Sequence, residues 1–183
     1  MSDSELSTAA RWPDVPACYG WLSLDRRGIW RLQGEPVAHA GLIGFLNRHY
    51  ATDDAGNWFV QNGPQRVFVR LDYTPLVLRV QPDGGLTAHT GAAAGPVAGV
   101  YIDEEGSVLV HAAPAVGLLD DRDLAVFIDG CRHADGTPAG EAALLDAMAG
   151  AGGVLWNGLP VRAISRREVP ARFGFEPAPA PAS

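Results

Sequence analysis

The sequence contains no lysine: all fourteen of its basic residues are arginine. Schiff-base catalysis, a phosphate-loop lysine and an amine acting as general base are therefore excluded. If an anion is bound, arginine must supply the charge, and its planar fork suits carboxylate or phosphate in bidentate fashion. Cysteine is nearly as scarce, with Cys18 and Cys131 far apart in the chain. Both read as buried small hydrophobes, because a disulfide is unnecessary in a reducing compartment. No apolar run approaches the ~18 residues of a membrane span, so no membrane association is expected. The start, Met1-Ser-Asp-Ser-Glu-Leu6, is acidic and polar, whereas an exported chain needs a basic start and an apolar stretch after it. The expectation is a cytoplasmic protein. The formal net charge of −7 opposes general nucleic-acid binding, since phosphate neutralisation requires a basic face.

Catalytic signatures are missing as well. There is no Gly-x-Ser-x-Gly elbow, phosphate loop or dinucleotide fingerprint. The five histidines, His39, His49, His89, His111 and His133, show no His-Glu-x-x-His spacing, and no Cys-x-x-Cys occurs, so neither a metal nor a cofactor is expected. Asp120, Asp121 and Asp123 lack the alternating ligands, central glycine and closing glutamate of a calcium loop. They read as acidic residues in the first turn of a helix, where the dipole favours them. Cys131-Arg-His133-Ala-Asp135 brings thiol, imidazole and carboxylate together in sequence, but residues two apart on a helix point in different directions. That stretch is expected to be a helix end, with Cys131 buried and His133 near the last carbonyls.

What the chain does contain is a repeat. Leu22-Ser-Leu-Asp-Arg-Arg-Gly-Ile-Trp-Arg-Leu32 reappears as Val100-Tyr-Ile-Asp-Glu-Glu-Gly-Ser-Val-Leu-Val110, displaced by 78 positions without a gap. In each copy an apolar run reaches an aspartate, two charged residues and a glycine follow, and an apolar run resumes, which is the pattern of a hairpin. Pro36 and Pro114 keep the same offset. A helix follows each hairpin: one from His39 to Tyr50, with Leu42, Ile43, Phe45 and Leu46 on one face, and one through Leu124 to Cys131. The fold expected is α+β, with two related hairpin-plus-helix halves and mostly antiparallel sheets. Residues 1–16 are expected to be a flexible arm, 17–90 and 97–175 the two halves, and 176–183, rich in Ala and Pro, an unfolded tail. Gly91-Ala-Ala-Ala-Gly-Pro96 is the expected linker.

Strands are also expected at 58–61, 66–71 and 76–80, with a last strand pair at 154–156 and 159–164 around the turn dipeptide Asn157-Gly158 and a short helix from Gly140 to Met148. Along 66–71, Val67, Val69 and Leu71 alternate with Arg66, Phe68 and Arg70, so one face is core and the other displays arginines. Tryptophan beside arginine can stack a planar ligand and clamp its anionic group. Among Trp21, Trp30, Trp58 and Trp156 and Arg66, Arg70, Arg79 and Arg162, the anion is assigned to Arg66, Arg70 and Arg162, and stacking to Trp30 and Trp156.

Several of these motifs resemble the bacterial domain-of-unknown-function family 1285. They are Gly28-Ile-Trp30 with Gly34-Glu-Pro36-Val37, Leu42 and Phe45-Leu46, Asp54-Ala-Gly56, Val67-Phe-Val69 leading to Asp72-Tyr-Thr-Pro75, and Gly153-Val-Leu-Trp156-Asn-Gly158. The likeness covers roughly residues 17 to 165; a sister proteobacterial family is equally consistent with it. The resemblance implies a duplicated α+β core, a C-terminal half like a pleckstrin-homology fold, a ligand pocket between the halves and a signalling role with a nucleotide-like ligand. Two departures stand out: the family's acidic-Asp-Ala-Pro-Phe motif survives only as Leu71-Asp-Tyr-Thr-Pro-Leu76, and the helix near Gly140 to Gly150 is extra. The leading expectation is a cytoplasmic, non-catalytic binding protein that senses a small anionic or nucleotide-like ligand. Two rivals remain: a protein-interaction module, or homodimer, acting through a sheet edge, and an enzyme of unrecognised type using His111, His133 or Asp72 as acid or base.

Overall fold

The computed structural model describes Ser2 and residues 11–182; most of the expected arm, Met1 and residues 3–10, lies outside the described residues. The chain forms two compact units. Of the described residues, unit 1 holds those up to Pro75, His89–Gly91 and those from Gly174, and unit 2 holds Leu76–Ala88 and Ala92–Phe173.

Unit 1 begins with β1 (Ala17–Leu24), β2 (Trp30–Leu32) and β3 (Glu35–Pro36) and continues through helix α1 (Ala40–Arg48) to β4 (Tyr50–Thr52), β5 (Trp58–Asn62) and β6 (Gln65–Leu71). Its sheet runs β3-β2-β1-β6-β5-β4. Every pairing is antiparallel except β1 with β6, which is parallel. The turns follow from side-chain chemistry. Asp25 Oδ1 accepts the backbone N–H groups of Arg27 and Ile29, and Gly28 takes the positive φ of 75° that this turn demands. Gln33 and Gly34 both have positive φ, the two-residue link that matches strand twist. Helix α1 is capped by His39 Nδ1, which accepts Leu42 N–H at 3.1 Å, and it buries Leu42, Phe45 and Leu46 at i, i+3, i+4 spacing.

Unit 2 contains β7 (Leu76–Val80), β8 (Leu86–Ala88), β9 (Val97–Ile102), β10 (Val108–Ala112) and β11 (Ala115–Leu119). After a 3₁₀ turn at Asp121–Asp123 come α2 (Leu124–Gly130), β12 (Cys131–Arg132), α3 (Glu141–Met148), β13 (Leu155–Trp156), β14 (Leu159–Ala163) and α4 (Val169–Phe173). The sheet order is β12-β13-β14-β9-β10-β11-β7-β8. Without β7 and β8 it reads β11-β10-β9-β14-β13-β12, which is the order of unit 1, with the same strand directions throughout.

The correspondence extends to register. In unit 1, Leu22, Ser23 and Leu24 face Val69, Arg70 and Leu71; in unit 2, the residues 78 positions later, Val100, Tyr101 and Ile102, face Val161, Arg162 and Ala163. The next backbone bond also matches: Asp72 N–H donates to Leu24 O, and Ile164 N–H to Ile102 O. The repeated turn recurs as well, with Asp103 Oδ1 accepting from Glu105 and Ser107 N–H and Gly106 at φ 81°. A third copy, at Asp53 with Gly56, joins β4 to β5.

Three boundaries differ from expectation. β7 belongs to unit 2, because Leu76, Val77 and Leu78 pair in parallel with Gly117, Leu118 and Leu119. The expected linker is hydrogen-bonded chain: Ala94 N–H donates to Leu86 O and Gly95 N–H to Ala113 O. The expected tail is held in its first residues, with a bridge between Asn57 and Glu176 and Leu71 N–H donating to Pro177 O.

Asp103 is wholly buried. Asp103→Ala leaves two donors without their acceptor and is expected to lower stability by about 2 kcal/mol, against less than about 1 kcal/mol for Asp103→Asn, in urea unfolding. A Cβ on Gly56 would lie 2.3 Å from Gly174 O at a φ of 81°. Gly56→Ala is therefore expected to free the chain beyond Gly174, read as faster proteolysis there than at any other site.

Candidate ligand-binding face

Alternation on β6 divides its side chains between two environments. Val67, Val69 and Leu71 are buried in the core of unit 1, while Arg66 and Arg70 are exposed on the opposite face. Phe68 stands between them and meets Phe59 of β5 across the strands, with ring centroids 5.8 Å apart and planes inclined at 60°. Tyr19 of β1 lies flat on Phe68, at 4.5 Å and 2° between planes. The Arg66 guanidinium sits 4.5 Å above the Phe59 ring, a cation–π contact. Four residues on one strand put the Arg66 and Arg70 backbones about 13 Å apart. Phe68 and Phe59 are themselves buried, so the ring this face presents is the half-buried Tyr19, backed by Phe68 and accompanied by two exposed cations.

The five residues assigned from sequence are divided between the units, Trp30, Arg66 and Arg70 in unit 1 and Trp156 and Arg162 in unit 2. Arg66 and Arg70 share this face. Arg162, exposed on β14, occupies in unit 2 the position that Arg70 occupies in unit 1. Trp30 is 2% exposed, donates its indole N–H to Asn47 Oδ1 at 2.7 Å and meets Tyr50 and His89 edge-on. Trp156 is 4% exposed and packs on Phe127. Both indoles are core of their own unit, and neither offers an open face to a ligand. Tyr19, Phe68 and Phe59 are the aromatics beside the arginines. The alternation that set out Arg66 and Arg70 already placed Phe68 with them; Tyr19 needed the β1–β6 register.

Several other charged groups are tied into local structure. Arg79 clasps Asp123 through two nitrogens, at 2.7 and 3.1 Å, and Asp123 also accepts Val80 N–H. Burial alone would raise the Asp120 carboxyl, yet the Arg122 guanidinium and backbone N–H hold it down at about 2. Cys131 opens β12 beyond the end of α2, fully buried, and burial pushes its thiol up to about 11. His133 lies in a surface turn, not at helix carbonyls: its N–H donates to Thr137 O. Asp135 in the same turn accepts the Thr137 N–H and hydroxyl. Cys131, His133 and Asp135 thus have separate local tasks. His111 packs against Phe173 in unit 2, whereas Asp72 follows β6 in unit 1. Among the described residues no group of three His, Cys, Asp or Glu side chains could hold a metal ion, and no helix is long and apolar enough to cross a membrane.

The fold is that of a family 1285 protein. A crystal structure of a DUF1285 family protein from Silicibacter pomeroyi DSS-3 aligns over 89% of this chain and 96% of its own, with a TM-score of 0.56 at 18% identity. Another, from Shewanella baltica OS155, aligns over 59% of this chain and 90% of its own, with a TM-score of 0.45 at 16% identity. The chain itself belongs to the family described as "Protein of unknown function (DUF2946)", whose model matches residues 1–180. No curated protein matches the sequence.

Burial against Trp30 and Tyr50 pushes the His89 imidazole down to about 4, so the fold holds it neutral while the unfolded chain titrates near 6.5. Stability is therefore complete above pH 6.5, falls as the pH drops toward 4, and loses at most roughly 3 kcal/mol by this route. Denaturant melts from pH 7 to 4 are expected to show that slope for the native protein and a flatter one for His89→Phe. An imidazole titrating near 6.5 by NMR would overturn it.

Proposed function

We propose that the protein is a non-catalytic binding protein for a small anionic, nucleotide-like ligand, held on the β6 face of unit 1. Arg66 and Arg70 supply the charge, and the half-buried Tyr19, backed by Phe68, supplies the flat surface for a ring. The observation that carries this reading is the placement of two exposed guanidinium groups on one strand beside an aromatic stack. Among the described residues Arg70 has no carboxylate partner, unlike Arg79 and Arg122. An anion on this face is the complement that neutral water supplies poorly, because arginine binds phosphate bidentately.

We read the two units as copies of one ancestral hairpin–helix–hairpin. The shared strand order and the matching register of Arg70 and Arg162 support that reading. A pleckstrin-homology-like description of the C-terminal half rests on the sheet of unit 2 being followed by a terminal helix, α4. Cytoplasmic residence and a sensing role belong to the same proposal; the two buried, unlinked cysteines support the former.

Thermal unfolding with nucleoside monophosphates, and with inorganic phosphate alone, tests the site. At ten times Kd a ligand adds about 1.4 kcal/mol, a rise in Tm of roughly 3–5 °C for a chain of this size. The expected result is a rise with the nucleotide that Arg66→Ala and Arg70→Ala each reduce by more than half. No shift with any nucleotide, or full shifts in both variants, would overturn the proposal.

A further inference from the structure

Unit 2 contains a cavity of about 220 Å3 that the β6 face does not involve. It lies where the second copy of the repeated hairpin meets two helices. Ile102 and Val108, a directly paired couple on β9 and β10, form its floor. Phe127 and Ile128 of α2 line one side. On α3, Glu141, Leu145 and Met148 recur at i, i+4, i+7, so one helix face supplies both apolar wall and carboxylate.

Size and charge together define what fits. A dry cavity of about 150 Å3 holds a benzene ring, and drug-sized ligands need roughly 300 Å3 or more. A volume of 220 Å3 therefore suits a single ring or a short alkyl chain. Glu141 is the one charged residue of the lining, and among the described residues it has no ion-pair partner. The carboxylates of the adjacent hairpin turn are already engaged, Glu104 by Arg166 N–H and Glu105 by the Arg166 guanidinium. Leu145 is 63% exposed although it lines the cavity, so a large apolar side chain marks the mouth.

We infer that this cavity is a binding site for a small amphiphile with an apolar body and a protonated amine, the body enclosed by the hairpin and α2 and the ammonium on Glu141. A carboxylate-headed ligand of the same body would meet Glu141 as a like charge, and an alcohol would forgo the ionic contact.

Calorimetric titration of the full chain with 4-phenylbutylamine, 4-phenylbutanol and 4-phenylbutanoate tests it. Glu141 is exposed, so the amine is expected to bind about threefold more tightly than the alcohol, the step of one exposed ion pair, and the carboxylate more weakly than both. Glu141→Gln is expected to bring the amine down to the alcohol while leaving the alcohol unchanged. Leu145→Trp, at an exposed position, is expected to close the mouth and weaken all three; a native-like amide NMR spectrum would show that either variant is folded. Absence of binding by all three compounds, equal binding of amine and alcohol, or an undiminished amine preference in folded Glu141→Gln would each overturn the inference.

Discussion

In each unit one parallel pairing joins two antiparallel groups of strands inside the sheet, β1 with β6 and β9 with β14. Parallel neighbours cannot be joined by a tight turn, so the chain must leave the sheet and return. The helix and the second set of strands are what it builds on the way. Register then decides which side chains enter the core, since a slip of one residue would exchange the two faces. With Leu22 opposite Val69 and Val100 opposite Val161, Arg70 and Arg162 must point away from the core. The register of β1 shifts between Cys18 and Leu22, at Gly20 with its φ of 76°. Parity is preserved across it, so Cys18 and Leu22 are both buried and Tyr19 lies on the arginine face.

Arginine serves two purposes in this lysine-free chain, and a carboxylate decides between them. Asp120 and Asp123 are nearly out of solvent, where an unanswered charge would be costly. Arg122 and Arg79 answer them with two-nitrogen contacts. Arg70 alternates on β6 as Arg79 alternates on β7, and nothing local separates them. The difference is that Asp123 lies beside β7, brought there by the pairing of β7 with β11 and the turn that follows β11.

The tryptophans show the same dependence on register. Trp30 was expected to stack a ligand beside arginine, but it pairs across β1–β2 with Leu24 and so shares the inward face. Trp156 pairs with the fully buried Cys131 in the equivalent way. A large apolar ring on an inward face contributes more by burial than it could by waiting for a ligand. Tyr19, one residue beyond the buried Cys18, has the opposite parity and keeps an amphipathic ring half-exposed to water.

The parts of this protein that its sequence determined are those set by local chemistry. The Asp25 and Asp103 turns, the Gln33-Gly34 and Asn157-Gly158 links, helix α1 with its i, i+3, i+4 stripe and the two-sided β6 strand all depend on residues within a few positions of one another. The aspartate needs only the N–H groups two and four residues on, and the glycine needs only its own φ. The unit boundaries, the bridge from Asn57 to Glu176, the burial of Trp30 and Trp156 and the cavity under α3 were decided by tertiary structure alone. Each depends on strands or helices distant in sequence meeting in one register, and backbone hydrogen bonding carries no residue code for its partner.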